Sequence, residues 1–327
     1  MKKYIITALS LLFFSGFAVS QTAPDFKEIE TQIAMLANQM HSDTSLANRQ
    51  SYAEEIKKLM QDNLTQKGSY TYPFTDIKGV SMLQPADKKF RIFTWEMFVD
   101  KNTYKQFGII QTSDEKIYTL EDKSEEMVKQ AEFLRLKPEN WYGALYYHIQ
   151  PYTTANNETH YLLLGRDSYS FYERRKVVEI LYFDFMSRPR FGNSVVQVKD
   201  GQGRMRMVNR YFLQYTTIAA VTLRYDPQLN LVVFDHLVTG APLEPGAPIS
   251  YMPDGSFNGL KLVKGKWDFV DMVFKYDSDN VLENAVNPTE IMLRNDKKRD
   301  GDKDIFGKDT KTEKEKKKSK KEMIIQP

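Results

Sequence analysis

From Trp141 to Phe274 apolar and polar positions alternate in short runs, most of them rich in aromatic and β-branched residues. A period of two puts every second side chain on the same face, so such runs predict strands with one buried side. Trp141–Gln150 and His160–Gly165 are two of them, separated by Thr153-Thr154-Ala155-Asn156-Asn157, whose asparagines tolerate the positive φ of a turn. A turn centred near Thr154 sets Tyr147 opposite Tyr161, Leu145 opposite Leu163 and His148 opposite His160. Asp226–Asn230, with Pro227 preset for the second position of a type I turn, joins Ala220–Tyr225 to Leu231–Asp235. Lys264-Gly265 is a two-residue loop between Leu260–Val263 and Lys266–Val270. It pairs Leu262 with Trp267 and Leu260 with Phe269, and sets Lys261 against Asp268 on the other face.

The same alternation marks Phe90–Val99, Tyr104–Gln111, Lys116–Leu120, Lys176–Phe183, Ser194–Val198 and Arg204–Phe212. The total is roughly a dozen strands, at the spacing of an all-β sandwich or barrel. No motif repeats at a fixed period, which disfavours a propeller. The fold class expected is therefore mainly β, an antiparallel sandwich or barrel with a short N-terminal helical segment.

That segment changes the period to three and four. Phe26, Ile29, Ile33, Leu36 and Met40 form one apolar stripe, capped by Asp25, and Tyr52, Ile56, Leu59, Met60 and Leu64 form a second. His41–Ser45 interrupts them and Gly68 stops the second helix. A hairpin of two helices covering part of the β body is expected. Farther on, Asp122, Glu125 and Glu126 open another helical stretch with Met127, Ala131 and Leu134 as its stripe and Pro138 as its end.

At the N-terminus Lys2 and Lys3 precede an apolar run from Tyr4 to Phe14, and Ala18-Val19-Ser20 supplies small residues for cleavage. The pattern is that of a secretory signal, and the run is too short to span a bilayer. The expected organisation is a signal peptide over 1–20, a helical segment over 21–67, a β domain over 68–277 and a charged, disordered tail over 278–327. Apolar residues thin out in that tail, which cannot bury enough surface to offset the entropy of ordering.

Composition narrows the chemistry. The chain has no cysteine, which excludes disulfides, thiolate metal sites, cysteine nucleophiles and a lipid-modified cleavage site. Its formal charge is +3, but Asp296 to Glu322 alone holds 12 basic and 8 acidic residues. With the two N-terminal lysines this more than accounts for the excess. The body is acidic, and the basic balance is no argument for nucleic-acid binding; the tail could instead contact an anionic surface.

The candidate binding residues are Trp141, Tyr146, His148, His160, Asp235 and His236. The aromatic crowding around Trp141, Tyr142, Tyr146, Tyr152, Tyr169 and Tyr172 suits stacking on a sugar, an apolar ligand or a partner, and equally suits strand packing. His148 and His160 in cross-strand register could share a metal ion, although no further ligand has a defined position. Asp235-His236 invites a hydrolytic reading with Ser250 or Ser256, but neighbours on a strand face opposite ways and no Gly-x-Ser-x-Gly elbow occurs. Asp300–Asp304 begins like a calcium loop, yet its sixth position is Ile305 and its twelfth is Lys311. No catalytic residue, metal site or cofactor is assigned.

Three phrases occur together: Trp141–Tyr147 with Tyr161–Gly165, Leu223–Asp226 with Val233–His236, and Gly265-Lys266-Trp267. In these the chain resembles a group of exported, cysteine-poor proteins of unknown function from gram-negative bacteria. The resemblance covers roughly Phe90 to Phe274 and implies export and a β body. The function expected is a periplasmic or secreted, non-enzymatic protein that binds a protein or cell-envelope component. One alternative is a carrier for a small apolar ligand in a β barrel, which requires an interior cavity. Another is a hydrolase of envelope polysaccharide or peptide, which requires clustered carboxylates or a Ser-His contact.

Overall fold

The computed structural model describes residues 25–127 and 130–274. The expected signal segment, the charged tail and its Asp300–Lys311 stretch lie outside the described residues. Two helices open the described chain, α1 (Phe26–Ser42) and α2 (Leu46–Leu64). The Asp25 side chain accepts the amides of Lys27 and Glu28, and Ser45 caps the second helix. Between them Arg49 accepts the role of a clasp: it donates to the carbonyls of Asp43 and Thr44 and to those of Phe98 and Val99.

Fifteen strands follow. β1 (Ser81–Leu83), β2 (Phe90–Asp100), β3 (Thr103–Thr112) and β4 (Ile117–Glu121) pair in that order as a first sheet. After them come β5 (Leu145–Thr153), β6 (Thr159–Asp167), β7 (Glu173–Phe183), β8 (Pro189–Phe191), β9 (Val196–Lys199), β10 (Met205–Val208) and β11 (Arg210–Thr216). The chain closes with β12 (Leu223–Asp226), β13 (Leu231–Thr239), β14 (Tyr251–Val263) and β15 (Lys266–Val270). The second sheet runs β11-β7-β6-β5, with β8 continuing the β11 edge of β7; the third runs β10-β9-β15-β14-β13-β12. Among the described strands every pairing is antiparallel except β15 with β9. None of the three sheets closes on itself, so the architecture is a layered sandwich.

Alternation along each strand builds the layers. Phe93, Trp95, Met97, Phe107 and Ile109 face Ile33, Met40, Ile56 and Met60 of the helices. The opposite face of the first sheet, Phe90, Ile92 and Ile110, packs with Tyr146, Tyr161, Leu163, Val177 and Leu181. The far face of the second sheet, Leu162, Leu164, Val178 and Ile180, packs with Val196, Val232, Phe234, Leu260 and Trp267 of the third. The second sheet is thus covered on both sides, which is why Leu162-Leu163-Leu164 reads as an uninterrupted apolar run.

The β14–β15 register agrees with the expected one at Leu262↔Trp267, Lys261↔Asp268 and Leu260↔Phe269. Lys264 and Gly265 both take positive φ, at 46° and 78°. A Cβ on Gly265 would lie 2.3 Å from the Ala155 nitrogen, because this turn docks on the β5–β6 turn. The β12–β13 hairpin also forms, its turn closed by Asp226 accepting the amides of Gln228 and Leu229.

Three expectations are corrected. The β5–β6 hairpin turns around Asn156: Tyr152 pairs with His160, and His148 pairs with Leu164. Its loop is closed by a bond from the Thr154 amide to the Glu158 carbonyl, and a bulge between Tyr146 and His148 shifts the far end again. The stretch after Asp122 is no continuous helix; it forms short 3₁₀ turns at Ser124–Met127, Ala131–Phe133 and Pro138–Asn140. Its backbone is bonded outside the segment instead, Leu136 to Phe191 and the Glu132 carbonyl to the Asn209 amide. Finally, Arg204–Phe212 is two strands, since β10 belongs to the third sheet and β11 to the second, with Asn209 between them.

Candidate binding surface

Asp184 organises the turn between β7 and β8. Its Oδ1 accepts the amides of Met186 at 2.9 Å and Arg188 at 3.0 Å. Its Oδ2 accepts Arg188 Nε at 3.1 Å, Arg190 Nε at 3.1 Å and Arg190 Nη2 at 2.8 Å. Desolvation pushes against the charged form, but the amides and guanidiniums outweigh it and hold the carboxyl down at about 2. The backbone closes as well, Ser187 donating to the Asp184 carbonyl at 2.8 Å and Asp184 to that of Arg188 at 3.0 Å. What this fixed loop presents is apolar: Phe185 is 95% exposed and Met186 57%.

Beside the tip lies a cleft of about 510 Å³ lined by Tyr118, Lys137, Pro138, Glu139, Asn140, Arg188 and Arg190. The Tyr118 hydroxyl donates to the Ser187 carbonyl at 3.3 Å, which ties β4 to the tip. Asn140 Oδ1 accepts the Lys137 amide at 2.7 Å and sets the Pro138–Asn140 turn that forms the opposite wall. Three cationic side chains and one carboxylate line this space, since Asp184 is largely covered beneath the guanidiniums. The arrangement can bind an anionic group and an apolar surface side by side.

The sequence candidates stand elsewhere. Trp141 and Tyr146 are wholly buried. Trp141 Nε1 donates to the Tyr146 hydroxyl at 2.9 Å, and that hydroxyl donates to Glu179 Oε2 at 2.5 Å. Arg210 Nε donates to Glu179 Oε1 at 2.7 Å, and its Nη1 reaches the carbonyls of Ala131 and Leu134. Both Glu179 and Arg210 are fully covered. Burial, with the Glu179 charge beside it, raises the Tyr146 hydroxyl well above its usual range. These wholly buried residues fasten the irregular segment after β4 onto the second sheet.

His148 and His160 are brought to different neighbours. His148 stacks on Tyr225, and His160 stacks on Tyr182 with Tyr152 edge-on. Burial lowers the pKa of both rings. Among the described residues no group of three His, Asp or Glu side chains is placed to hold a metal ion. Asp235 accepts the Thr222 amide, whereas His236 Nδ1 lies 2.8 Å from Asp254 Oδ2. Ser256 Oγ donates to the other oxygen of Asp254 at 2.7 Å, so the serine and the histidine share a carboxylate without touching each other. The amide and hydroxyl of Ser256, with His236, lower the Asp254 carboxyl to about 2. Ser250 donates to the Ala241 carbonyl.

A further acidic group sits at the opposite end of β6. Glu96 accepts Ser168 Oγ at 2.7 Å and Gln106 Nε2 at 2.7 Å. Asp167 accepts the Tyr142 hydroxyl at 2.8 Å and the Tyr169 amide at 2.9 Å. Arg175 Nη1 in turn donates to the Tyr142 oxygen at 2.9 Å. Burial lifts the Asp167 carboxyl to about 6, against the hydrogen bonds and Arg175. Both carboxylates are buried and bonded to the protein on each oxygen.

Sequence reasoning passed over Asp184, Phe185, Met186, Arg188 and Arg190. The signal was present: Asp184-Phe185-Met186-Ser187-Arg188 separates two strand-like runs, yet a loop there would normally be polar throughout. Among the described residues no helix is long and apolar enough to cross a membrane. No family model, curated protein or solved structure matches the chain.

Proposed function

We propose that the chain is an exported binding protein with no catalysis of its own, acting in the periplasm or beyond, whose β body engages a protein or cell-envelope component. The observation that carries this reading is the β7–β8 tip. A loop fixed by five bonds to one carboxylate holds Phe185 95% exposed beside a cationic cleft. Leaving a phenylalanine in water forgoes roughly 1.5–3 kcal/mol of burial, and a rigid loop cannot fold it away. Export rests on the N-terminal pattern of Lys2-Lys3, an apolar run and Ala18-Val19-Ser20.

The carrier reading needs a closed barrel, and the open strand orders weigh against it. The hydrolase reading draws support from Asp167, whose carboxyl near 6 stands beside Glu96. Against it, both acids are occupied by structural bonds, and the residues lining the cleft include neither. The test is a photocrosslinking residue placed at Phe185 in the exported protein. A specific envelope adduct at that position supports the reading, and no adduct above that of a control position removes it.

A further inference from the structure

Resting on that reading, we propose that the β7–β8 tip and its cleft dock on an anionic phospholipid surface, with Phe185 and Met186 entering the acyl boundary and Arg188, Arg190 and Lys137 meeting lipid phosphates. The shape argues for a bilayer over a protein groove. The apolar part is a convex knob of two consecutive residues, 95% and 57% exposed, with charged and polar groups directly behind it. A protein partner would need a cavity cut for that knob, whereas a bilayer interface accepts it without one.

The chemistry is layered in the order a bilayer demands. Phe185 and Met186 lie at the apex of the loop, and the cations line the cleft at its base. Tyr118, an aromatic with a polar tip, joins base to apex through its bond to Ser187. Aromatic and basic side chains of this kind collect at headgroup depth. Asp184 neutralises one of the two arginines it pairs with, so Lys137 and the more exposed Arg188 carry most of the attraction; Glu139 is the one carboxylate that lines the cleft. Locking the loop before contact removes part of the ordering cost of insertion. Two apolar residues and a few cations predict weak, reversible association.

The experiment is co-sedimentation of the full mature chain with phosphatidylglycerol-containing vesicles, with phosphatidylcholine vesicles as reference. It compares the parent, Phe185→Ser, Met186→Ser and Lys137→Gln, at about 0.15 M salt and again at roughly 0.5 M, where solvent-exposed charges are screened. The expected result is binding to the anionic vesicles that Phe185→Ser weakens about tenfold or more at both salt concentrations. Lys137→Gln should weaken it only at the lower salt. Phe185 is solvent-exposed, so its loss leaves the fold intact, and an unchanged circular dichroism spectrum and melting temperature check this. Equal binding by parent and Phe185→Ser overturns the proposal, as does full displacement by inorganic phosphate, which would make the cleft a site for the free anion. Absence of vesicle binding alongside a protein adduct at position 185 overturns the lipid inference and leaves the binding reading standing. Absence of both removes both.

Discussion

Replacing Arg210 with methionine would strand the Glu179 carboxylate in a fully covered space, with only the Tyr146 hydroxyl still donating to it. Breaking a buried pair on one side costs about 3–5 kcal/mol, and replacing both partners by apolar groups costs much less. Urea denaturation should therefore show Arg210→Met and Glu179→Leu each well below the parent, and Glu179→Leu/Arg210→Met losing clearly less than their sum; a double variant at the sum of the singles would contradict it. Asp167 carries the opposite lesson. Its carboxyl titrates at 3.8 in the open chain and at about 6 in the fold, so between those values the folded state holds the extra proton. Stability then falls as pH rises through this window, and above it the ionised group costs on the order of 3 kcal/mol. Asp167→Asn keeps an acceptor for Tyr142 and removes the titration. The parent should lose melting temperature relative to this variant between about pH 4 and 6, and parallel curves would contradict it. Neither role could be read from the sequence, because an isolated Glu or Asp in a strand gives no sign of which charge lies across the layer.

Hairpin registers were legible where the loop is short and its chemistry strict. Lys264-Gly265 leaves one arrangement for a two-residue turn, and both faces of β14–β15 agree with it. Thr153–Asn157 allows several, and a turn centred two residues later than expected is enough to move His148 from His160 to Leu164; the bulge between Tyr146 and His148, which nothing in the sequence announces, shifts only the pairs beyond it. The helix expected after Asp122 failed for another reason. Its stripe is real, with Met127 and Ala131 buried, but the Ala131 and Leu134 carbonyls serve Arg210 instead of a helical ladder. Gly265 gives this scale its test. Alanine there meets both a positive φ and the backbone of Thr154-Ala155, so Gly265→Ala should destabilise by more than the roughly 1 kcal/mol expected from conformation alone. A smaller loss in thermal or urea unfolding would mean that the two turns are not packed together.

At the scale of the molecule, the mainly β class and its antiparallel character were readable from alternation, whereas the short strands β1 and β8 and the division into three sheets were not. Asn209 separates β10 from β11 within what reads as one run, and only the layers on either side explain the break. The same holds for the proposed binding surface: Tyr118, Lys137 and Arg188 are remote in sequence and meet only where β4, the Pro138 turn and the β7–β8 tip converge. On the proposed reading, this end of the second sheet is where the protein binds. Ile218, 71% exposed beyond the end of β11 that pairs with Glu173, marks the other end of that sheet. The most direct test is photocrosslinking in the cell envelope from position 185 and, separately, from position 218. A lipid or envelope adduct at 185 in clear excess over 218 is expected, whereas equal yields at the two ends would rule out the β7–β8 tip as the binding site.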